Sequence, residues 1–250
     1  MSRLQSDLEA IGGLSNPSKM PGYSYSIPAR YCITGAKLAR IPGTVCFDCY
    51  ALGGCYLFAS TVSAMERRWQ IIMGAMHNPG KRIDFINAFV RVLRARFERD
   101  RRARERGKTP VQDCRYFRWH DSGDLQGIAH LEIIAEIAAQ LPQVSFWLPT
   151  REAATVRAYL KRHGTFPSNL VVRVSASKID GKAPEGFPHV SGVHSVKGSP
   201  PAGMRECQAF RTTADGTDRP DLIGTPEVGY CGDCRACWDP EISGESYPLH

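Results

Sequence analysis

The sequence predicts an α/β fold: a barrel-like parallel sheet, forming a complete or an incomplete TIM barrel, with a loop-rich, metal-bound C-terminal cap. Strand-like segments begin near residues 115, 144 and 170, and a helical pattern follows each of the first two. Repeated strand–helix units of this kind imply parallel strands with right-handed crossovers. Polar residues follow all three strand patterns, and the C-terminal segment is rich in cysteine, glycine and proline.

The N-terminal half is expected to hold one strand, a long loop and two helices. Glycine and proline predict an irregular arm over residues 1–22, and an alternating pattern predicts a strand over residues 23–28. Residues 29–56 form a long loop whose length a bound centre would explain. Apolar residues at helical spacing then predict helices over residues 61–76 and 82–106.

The same reasoning predicts the elements of the second half. Their order is strand 115–119, helix 128–141, strand 144–148, helix 156–163, strand 170–174 and a further strand over 190–196. We expect one domain over residues 1–250, divided into an N-terminal arm and cysteine loop (1–60), helices and βα units (61–206), and a cysteine-rich cap (207–250).

The composition limits which cellular compartment the protein is expected to occupy. No run of about 18 apolar residues predicts a membrane span, and the N-terminus has no apolar signal-peptide region, so we expect a cytoplasmic protein. Nine cysteines, an odd number in a chain without a secretion signal, argue against a disulfide framework.

The net charge of +7 is concentrated in one helical segment. Between Arg91 and Lys108, nine basic residues face three acidic ones. Such a segment is a candidate surface for nucleic acid or a host protein. The alternative is a solvated helix with Arg–Glu pairs such as Glu98–Arg102.

The strongest chemical signal is the run Cys231-x-x-Cys234-x-x-Cys237. Two Cys-x-x-Cys turns that share their middle residue place three thiolates on one short loop, and Cys207 is the candidate fourth ligand. Such a set suits an iron–sulfur cluster, most simply a four-iron cluster, or zinc. The run is close to those of bacterial ferredoxins, whereas zinc ribbons more often have two separate knuckles, so the sequence favours the cluster.

A second, weaker group is Cys46, Cys49 and Cys55. Three thiolates on a four-iron cluster would leave one iron open to substrate. The alternatives are a reduced structural pair or a contribution to the C-terminal centre. Cys32 and Cys114 are interpreted as small buried hydrophobic residues.

Polar residues follow the predicted strands, where parallel βα folds collect functional groups. The catalytic candidates are His120, Asp121, Asp124 and Arg151; the first two could serve acid–base work and the arginine could clamp a carboxylate or phosphate. The alternative for Asp124 is helix capping.

Several motifs resemble the phage gene product 88 family. They are Lys19-Met20-Pro21, the segment 24–29, Cys32-x-Thr34-Gly35, Cys46-x-x-Cys49-Tyr50-Ala51, the late cysteine run with Trp238, and the closing 247–250. The resemblance implies a phage-encoded cytosolic protein without an assigned activity.

A wider resemblance is to radical S-adenosylmethionine enzymes. It rests on Cys46-x-x-Cys49-Tyr50-Ala51 and on βα units that end in Thr150-Arg151 and in Ser175-Ala176-Ser177. It implies a full or partial barrel, a three-cysteine open cluster and S-adenosylmethionine as a cofactor, with Ser175 and Ser177 as cofactor-binding residues. The usual spacing in those enzymes, Cys-x-x-x-Cys-x-x-Cys, differs from the spacing here.

Two classes of function follow. In the first, the chain is an enzyme that uses a cluster, together with S-adenosylmethionine, on a substrate facing His120, Asp121 and Arg151. In the second, a structural or redox cluster, or a zinc ion, supports a protein that binds host factors or nucleic acid.

Overall fold

The centre of the molecule is a seven-stranded sheet in which every neighbouring pair is parallel. The structure, a computed structural model, describes residues 2–195, 199–223, 225 and 227–249. The strands are β1 (Tyr23–Tyr25), β2 (Tyr116–Trp119), β3 (Ser145–Thr150), β4 (Leu170–Ile179), β5 (Val190–His194), β6 (Arg205–Glu206) and β7 (Gly244–Pro248). Their spatial order is β1-β2-β3-β4-β5-β7-β6.

Six α-helices accompany the sheet in the part of the chain that the structure describes. They are α1 (Arg3–Ala10), α2 (Ile33–Leu38), α3 (Ala59–His77), α4 (Pro79–Glu105), α5 (Ile128–Ala139) and α6 (Ala153–His163). Asn78 caps α4, because its side chain accepts a hydrogen bond from the Lys81 amide, and Pro79 supplies the fixed backbone angle of the first turn. None of the helices in the described part of the chain is both long and apolar enough to cross a bilayer.

The first five strands lie side by side in chain order. Right-handed crossovers in such a sheet place the connecting helices on one face, and α1, α3, α4, α5 and α6 do form one contiguous layer. The two edge strands, β1 and β6, do not pair with each other in the described residues. The α/β class and the parallel sheet are therefore confirmed, whereas the sheet is open and the predicted barrel is not confirmed.

Alternate residues of β2 divide the interior into two parts. Phe117 and Trp119 point towards the helices and join the main apolar core, where Phe89 of α4 stacks on Trp119 with ring centroids 5.0 Å apart. Tyr116 and Arg118 point to the opposite face. The period of two in this strand thus separates an apolar, helix-covered face from a face that carries charge.

The opposite face is covered by loops of the C-terminal segment. Trp147 of β3, Trp238 and Tyr247 of β7 form a small second cluster there. The predicted loop-rich cap therefore lies on the sheet, and one of its segments is itself a strand, β7, which pairs with both β5 and β6. A bound metal in this cap is not shown.

Four sequence predictions differ from the structure. The loop predicted over residues 29–56 contains α2. Residues 3–10, expected to be irregular, form α1, because Ser2 caps the helix and Leu4, Leu8 and Ile11 meet the core at helical spacing. Strand β4 continues to Ile179, so Ser175 and Ser177 lie within the strand and not after it. The strand predicted over 190–196 ends at His194, and residue 196 lies outside the described residues.

A partly buried ion pair fixes α1 to α4. The Arg91 guanidinium donates to both carboxylate oxygens of Asp7, at 2.9 and 2.5 Å, and this bonding lowers the pKa of Asp7. Because a depressed carboxyl pKa stabilises the folded state only above the unfolded value of about 3.9, the contribution is present at neutral pH and disappears as pH falls through the folded pKa.

Replacing Asp7 with asparagine is therefore expected to lower the free energy of unfolding by about 1 kcal/mol at neutral pH, since Arg91 is partly exposed and solvent screens the pair. The difference from the unmodified protein should shrink towards zero as the pH falls through the lowered pKa of Asp7. Urea unfolding across this range measures it. Asp221→Asn, at an exposed pair with Arg219, should change nothing; a pH-independent loss in Asp7→Asn would contradict the ion-pair account.

Candidate metal centre

Backbone hydrogen bonds fix three of the four cysteines of the C-terminal set, and a short helix carries the fourth. The Cys207 amide donates to the carbonyl of Ser246 in β7, at 2.8 Å. The Cys231 amide donates to the carbonyl of Lys19, at 3.0 Å, and the Cys234 amide donates to the Cys231 carbonyl, at 2.9 Å. Cys237 lies in the short 3-10 helix Ala236–Trp238. The set is thus assembled from two C-terminal segments and the N-terminal arm.

The thiols of this set lie close enough to interact electrostatically. Burial raises the pKa of Cys207, and the charges of Cys237 and Cys231 raise it further. Burial also raises the pKa of Cys231 to about 11, with Arg118 acting in the opposite direction and Cys234 adding to the rise. For Cys237, burial raises the pKa to about 12. Keeping Cys207, Cys231 and Cys237 as thiolates therefore requires a compensating positive charge such as a metal.

Two polar side chains contact sulfur directly. The Arg205 guanidinium donates to the Cys234 sulfur at 3.4 Å, and the hydroxyl of Tyr247 lies 3.4 Å from the Cys237 sulfur. The same arginine lies 3.3 Å from the fully buried carboxylate of Glu245. The surroundings of the set are therefore polar and include fixed positive charge.

Arg173 of β4 holds the loop that carries Cys237. Its side chain is fully buried and donates to the carbonyls of Ala236, Cys237 and Asp239, at 2.8, 3.3 and 3.3 Å. Trp238 follows, and its indole N–H donates to the carbonyl of Phe117 in β2, at 2.9 Å. These contacts anchor the last cysteine to the sheet.

In the structure, His120 and Asp121 contact different neighbours. His120 is buried, its ring centroid lies 5.1 Å from that of His130, and burial lowers its pKa well below the ordinary value. The Asp121 carboxylate accepts hydrogen bonds from the hydroxyls of Ser24 and Tyr56. The geometry does not bring the two together as an acid–base pair, and their catalytic roles stay predictions.

Asp124 and Arg151 do lie together. The Asp124 carboxylate accepts hydrogen bonds from the Thr150 hydroxyl and from the amides of Arg151 and Leu125, at 2.5, 2.8 and 2.7 Å. Burial raises the pKa of Asp124 to about 6, and these bonds oppose the rise. The Arg151 side chain turns to the Cys46 sulfur, with its Nε at 3.0 Å. This arginine therefore contacts a thiol and not a free anion site.

The two serines proposed for cofactor binding occupy the sheet. The Ser175 hydroxyl lies 2.9 Å from the Ser191 hydroxyl of β5, and the Ser177 carbonyl accepts a hydrogen bond from the Val45 amide, at 3.1 Å. Ser177 thus attaches the N-terminal cysteine loop to β4. Cofactor binding by either serine stays a prediction.

The N-terminal cysteines form a separate neighbourhood. The charges of Cys49 and Cys46 both act on Cys32, whereas Cys55 is exposed on the 3-10 helix Gly54–Leu57. Cys32, interpreted above as an apolar residue, is therefore the third member of this neighbourhood. The Cys32-x-Thr34-Gly35 motif could have indicated that Cys32 belongs to this group. However, 13 residues lie between Cys32 and Cys46, so the sequence alone did not show that the two are neighbours.

No group of three or more His, Cys, Asp or Glu side chains among the described residues is placed to hold a single metal ion. Four thiolates around one zinc ion must lie about 3.8 Å apart, given Zn–S bonds of about 2.3 Å in a tetrahedron. All nine cysteines are free thiols. The thiols are thus gathered into two neighbourhoods without the close packing that a single ion demands.

Comparison with known proteins decides the family. A sequence model of the gene product 88 family matches residues 3–240, nearly the whole chain. The chain belongs to the gene product 88 family. No curated protein and no solved structure gives a significant match. The match to gene product 88 includes both cysteine neighbourhoods and the N-terminal arm that joins them to the sheet.

Much of the charge on α4 is engaged within the molecule. Arg91 pairs with Asp7, Arg101 with Glu98 and Glu105, and Arg104 with Asp113. The two Arg101 pairs are Arg–Glu pairs within the helix, as the alternative interpretation anticipated, although Glu98 pairs with Arg101 and not with Arg102. Binding of nucleic acid or a host protein by this helix stays a prediction.

Proposed function

We propose that this gene product 88 protein is an iron–sulfur protein that holds a four-iron cluster on Cys207, Cys231, Cys234 and Cys237. The observation that carries the proposal is the gathering of four separately anchored thiols into one electrostatic neighbourhood. A cluster is several ångströms across and accepts thiolates farther apart than a zinc ion does. The reason to prefer a cluster over zinc is the sequence spacing Cys231-x-x-Cys234-x-x-Cys237, which is close to the cysteine runs of bacterial ferredoxins.

The surroundings of these thiols suit an anionic cluster. Arg205 donates to Cys234, and the Arg118 charge acts on Cys231. Hydrogen bonds and fixed charges around cluster sulfurs tune reduction potentials. Four protein thiolates leave no iron open to substrate, so this cluster would serve structure or electron transfer.

Two further proposals follow from the first. A cluster and the remaining cysteines, none of which forms a disulfide, need a reducing compartment, which for a phage protein is the host cytoplasm. A reaction with S-adenosylmethionine would need an iron with an open position, which the C-terminal set does not offer. That activity therefore requires a different set of ligands.

The test is anaerobic purification followed by assays for iron, sulfide and zinc. The unmodified protein is expected to contain iron and sulfide, and the double variant Cys231→Ser/Cys234→Ser should lose at least about half of the iron. Cys114→Ser is the matched control, because Cys114 interacts with Asp100, Arg99 and Arg96 and with neither thiol neighbourhood. A colourless, zinc-loaded protein would contradict the proposal.

A further inference from the structure

An apolar surface patch lies on the loop that follows β1. Among the residues that the structure describes, eleven large apolar side chains are exposed, and seven of them lie between residues 33 and 58. These seven side chains, which are 43–65% exposed, are Ile33, Ile41, Phe47, Tyr50, Leu52, Leu57 and Phe58. Single exposed apolar residues are ordinary, whereas a group of this size marks a surface that another molecule covers.

Contacts between short elements join these side chains into one patch. The 3-10 helix Tyr50–Leu52 contacts the 3-10 helix Gly54–Leu57, which in turn packs on α3. On the other side, a methyl group placed on Gly35 of α2 would lie 3.6 Å from the Cys46 sulfur. Helix α2 therefore packs closely on the segment that leads into the two 3-10 helices.

Hydrogen bonds to residues that follow β2 and β3 hold the patch rigidly. The Tyr50 hydroxyl donates to the Asp121 carbonyl at 2.6 Å, and the Tyr56 hydroxyl donates to the carboxylate of the same residue at 3.2 Å. The Glu152 carboxylate accepts hydrogen bonds from the amide and the hydroxyl of Thr34, at 2.7 and 3.0 Å, and so caps α2. The patch is thus ordered before any partner binds, which lowers the conformational entropy lost on association.

The unpaired charges around the patch have both signs. Lys37, Arg40 and Asp48 are exposed, and none of the three forms an ion pair within the described part of the chain. The neighbouring Arg30, by contrast, pairs with Glu66. Across a two-fold axis every contact is made twice, so an acid of one copy that meets a base of the other forms two ion pairs. A surface that carries both signs is therefore complementary to a second copy of itself.

The size of the patch also fits a second copy. Seven side chains that are about half exposed, three of them aromatic, present on the order of 600 Å² of apolar surface. Burial of this surface on both copies removes about 1,200 Å² from solvent, which reaches the range of stable interfaces before the polar rim is counted. A nucleic acid fits less well, because four of the seven side chains are aliphatic and offer no ring on which a base stacks.

We propose that the protein is a homodimer in which the apolar patches of two copies pack against each other around a two-fold axis. At the rim of this interface, Asp48 of each copy faces Lys37 and Arg40 of the other. The interface covers the N-terminal cysteine loop, including the exposed Cys55, and so shields it from solvent. No metal takes part in this packing, so the dimer and the proposed C-terminal cluster are tested separately.

Sedimentation equilibrium of the full chain, carried out anaerobically with a reductant, measures the association. The unmodified protein is expected to be dimeric at about 100 µM. Leu57→Glu places a charge at a side chain that is 65% exposed in the patch, and it should raise the dissociation constant of the dimer at least about 10-fold.

Val111→Glu is the matched control for this substitution. Val111 is 95% exposed and lies outside the patch, so the same change of residue type should leave the dissociation constant unaltered. A monomer at about 100 µM would mean that another kind of molecule covers the patch, and it would overturn the proposal. Equal effects of the two variants would overturn it as well.

Two charge variants test the two-fold arrangement. Asp48→Lys leaves three basic residues at the rim, and Lys37→Glu/Arg40→Glu leaves three acidic ones. Each variant alone should dimerise at least about 10-fold more weakly than the unmodified protein, because like charges then face each other. An equimolar mixture should recover the affinity as a heterodimer, which native mass spectrometry identifies when one variant carries a tag. Absence of this recovery would overturn the arrangement.

Cys55→Ser separates packing from a disulfide between copies. Cys55 is an exposed thiol within the patch, but the proposed dimer needs no covalent bond. This variant should therefore have the same dissociation constant as the unmodified protein. A monomeric Cys55→Ser would show that oxidation and not packing of the apolar side chains holds the copies together, and it would overturn the proposal.

Discussion

Replacing Trp238 with alanine is expected to lower the free energy of unfolding by about 3–5 kcal/mol. The indole is buried, and its ring packs edge-on against Trp147 and Tyr116, at centroid distances of 5.2 and 5.6 Å. It also donates to the Phe117 carbonyl of β2. The substitution removes most of the small cluster on the loop-covered face and leaves a cavity beneath Cys237, so the C-terminal metal content should fall as well.

Trp238→Phe separates packing from hydrogen bonding. Phenylalanine keeps an aromatic ring in the cluster but cannot donate to the Phe117 carbonyl, so a loss of about 1–2 kcal/mol is expected. Equilibrium unfolding in urea, carried out anaerobically, gives both values. Equal stability of Trp238→Ala and the unmodified protein would show that the C-terminal segment is not packed on the sheet as described.

Arg173→Met is expected to cost about 3 kcal/mol and to displace the loop that carries Cys237. The side chain is fully buried and is the donor for three carbonyls of the segment 236–239. Methionine fills a similar volume but leaves those carbonyls without a buried donor, each at a cost of about 1–3 kcal/mol before relaxation. The loop is then expected to rotate its carbonyls to solvent, which moves the cysteine away from Cys207.

Thermal unfolding and iron analysis of the same samples measure the two consequences of this change. The control is Arg162→Met, because Arg162 is exposed and pairs with Glu132 at the surface, where such pairs contribute less than about 1 kcal/mol. Loss of stability in Arg173→Met with the C-terminal iron fully retained would separate the arginine from the metal centre.

Sequence periodicity predicted the elements whose apolar faces are long and regular. The helices α3 to α6 and the strands β2 and β3 were found within a few residues of their observed bounds, because their apolar positions recur at one period. The short strand β7 was not predicted. β7 contains Gly244, Glu245 and Ser246, which carry no strand signal, and it forms because neighbours β5 and β6 pair with it on both sides.

The C-terminal thiol set was predicted from local spacing, whereas the N-terminal neighbourhood was predicted only in part. Cys46 and Cys49 are adjacent in sequence, but Cys32 joins them through the fold of the loop and the packing of Gly35. Likewise, nothing in the sequence shows that Arg151 turns to Cys46 or that Glu152 caps α2. Polar residues after strands marked the correct edge of the sheet, but tertiary contacts decided what each one does there.

The position of β7 has a kinetic consequence. It is the last strand in the chain, yet it lies between β5 and β6, which precede it. Strands β1 to β5 can pair in the order in which they are synthesised. Strand β6, in contrast, has no neighbour in the described sheet until β7 has been synthesised. Since β7 follows all of its neighbours in the order of synthesis, we expect a helix-backed intermediate that presents β5 as an unpaired edge. Insertion of β7 beside β5 would then cover this edge and end the tendency of the intermediate to aggregate.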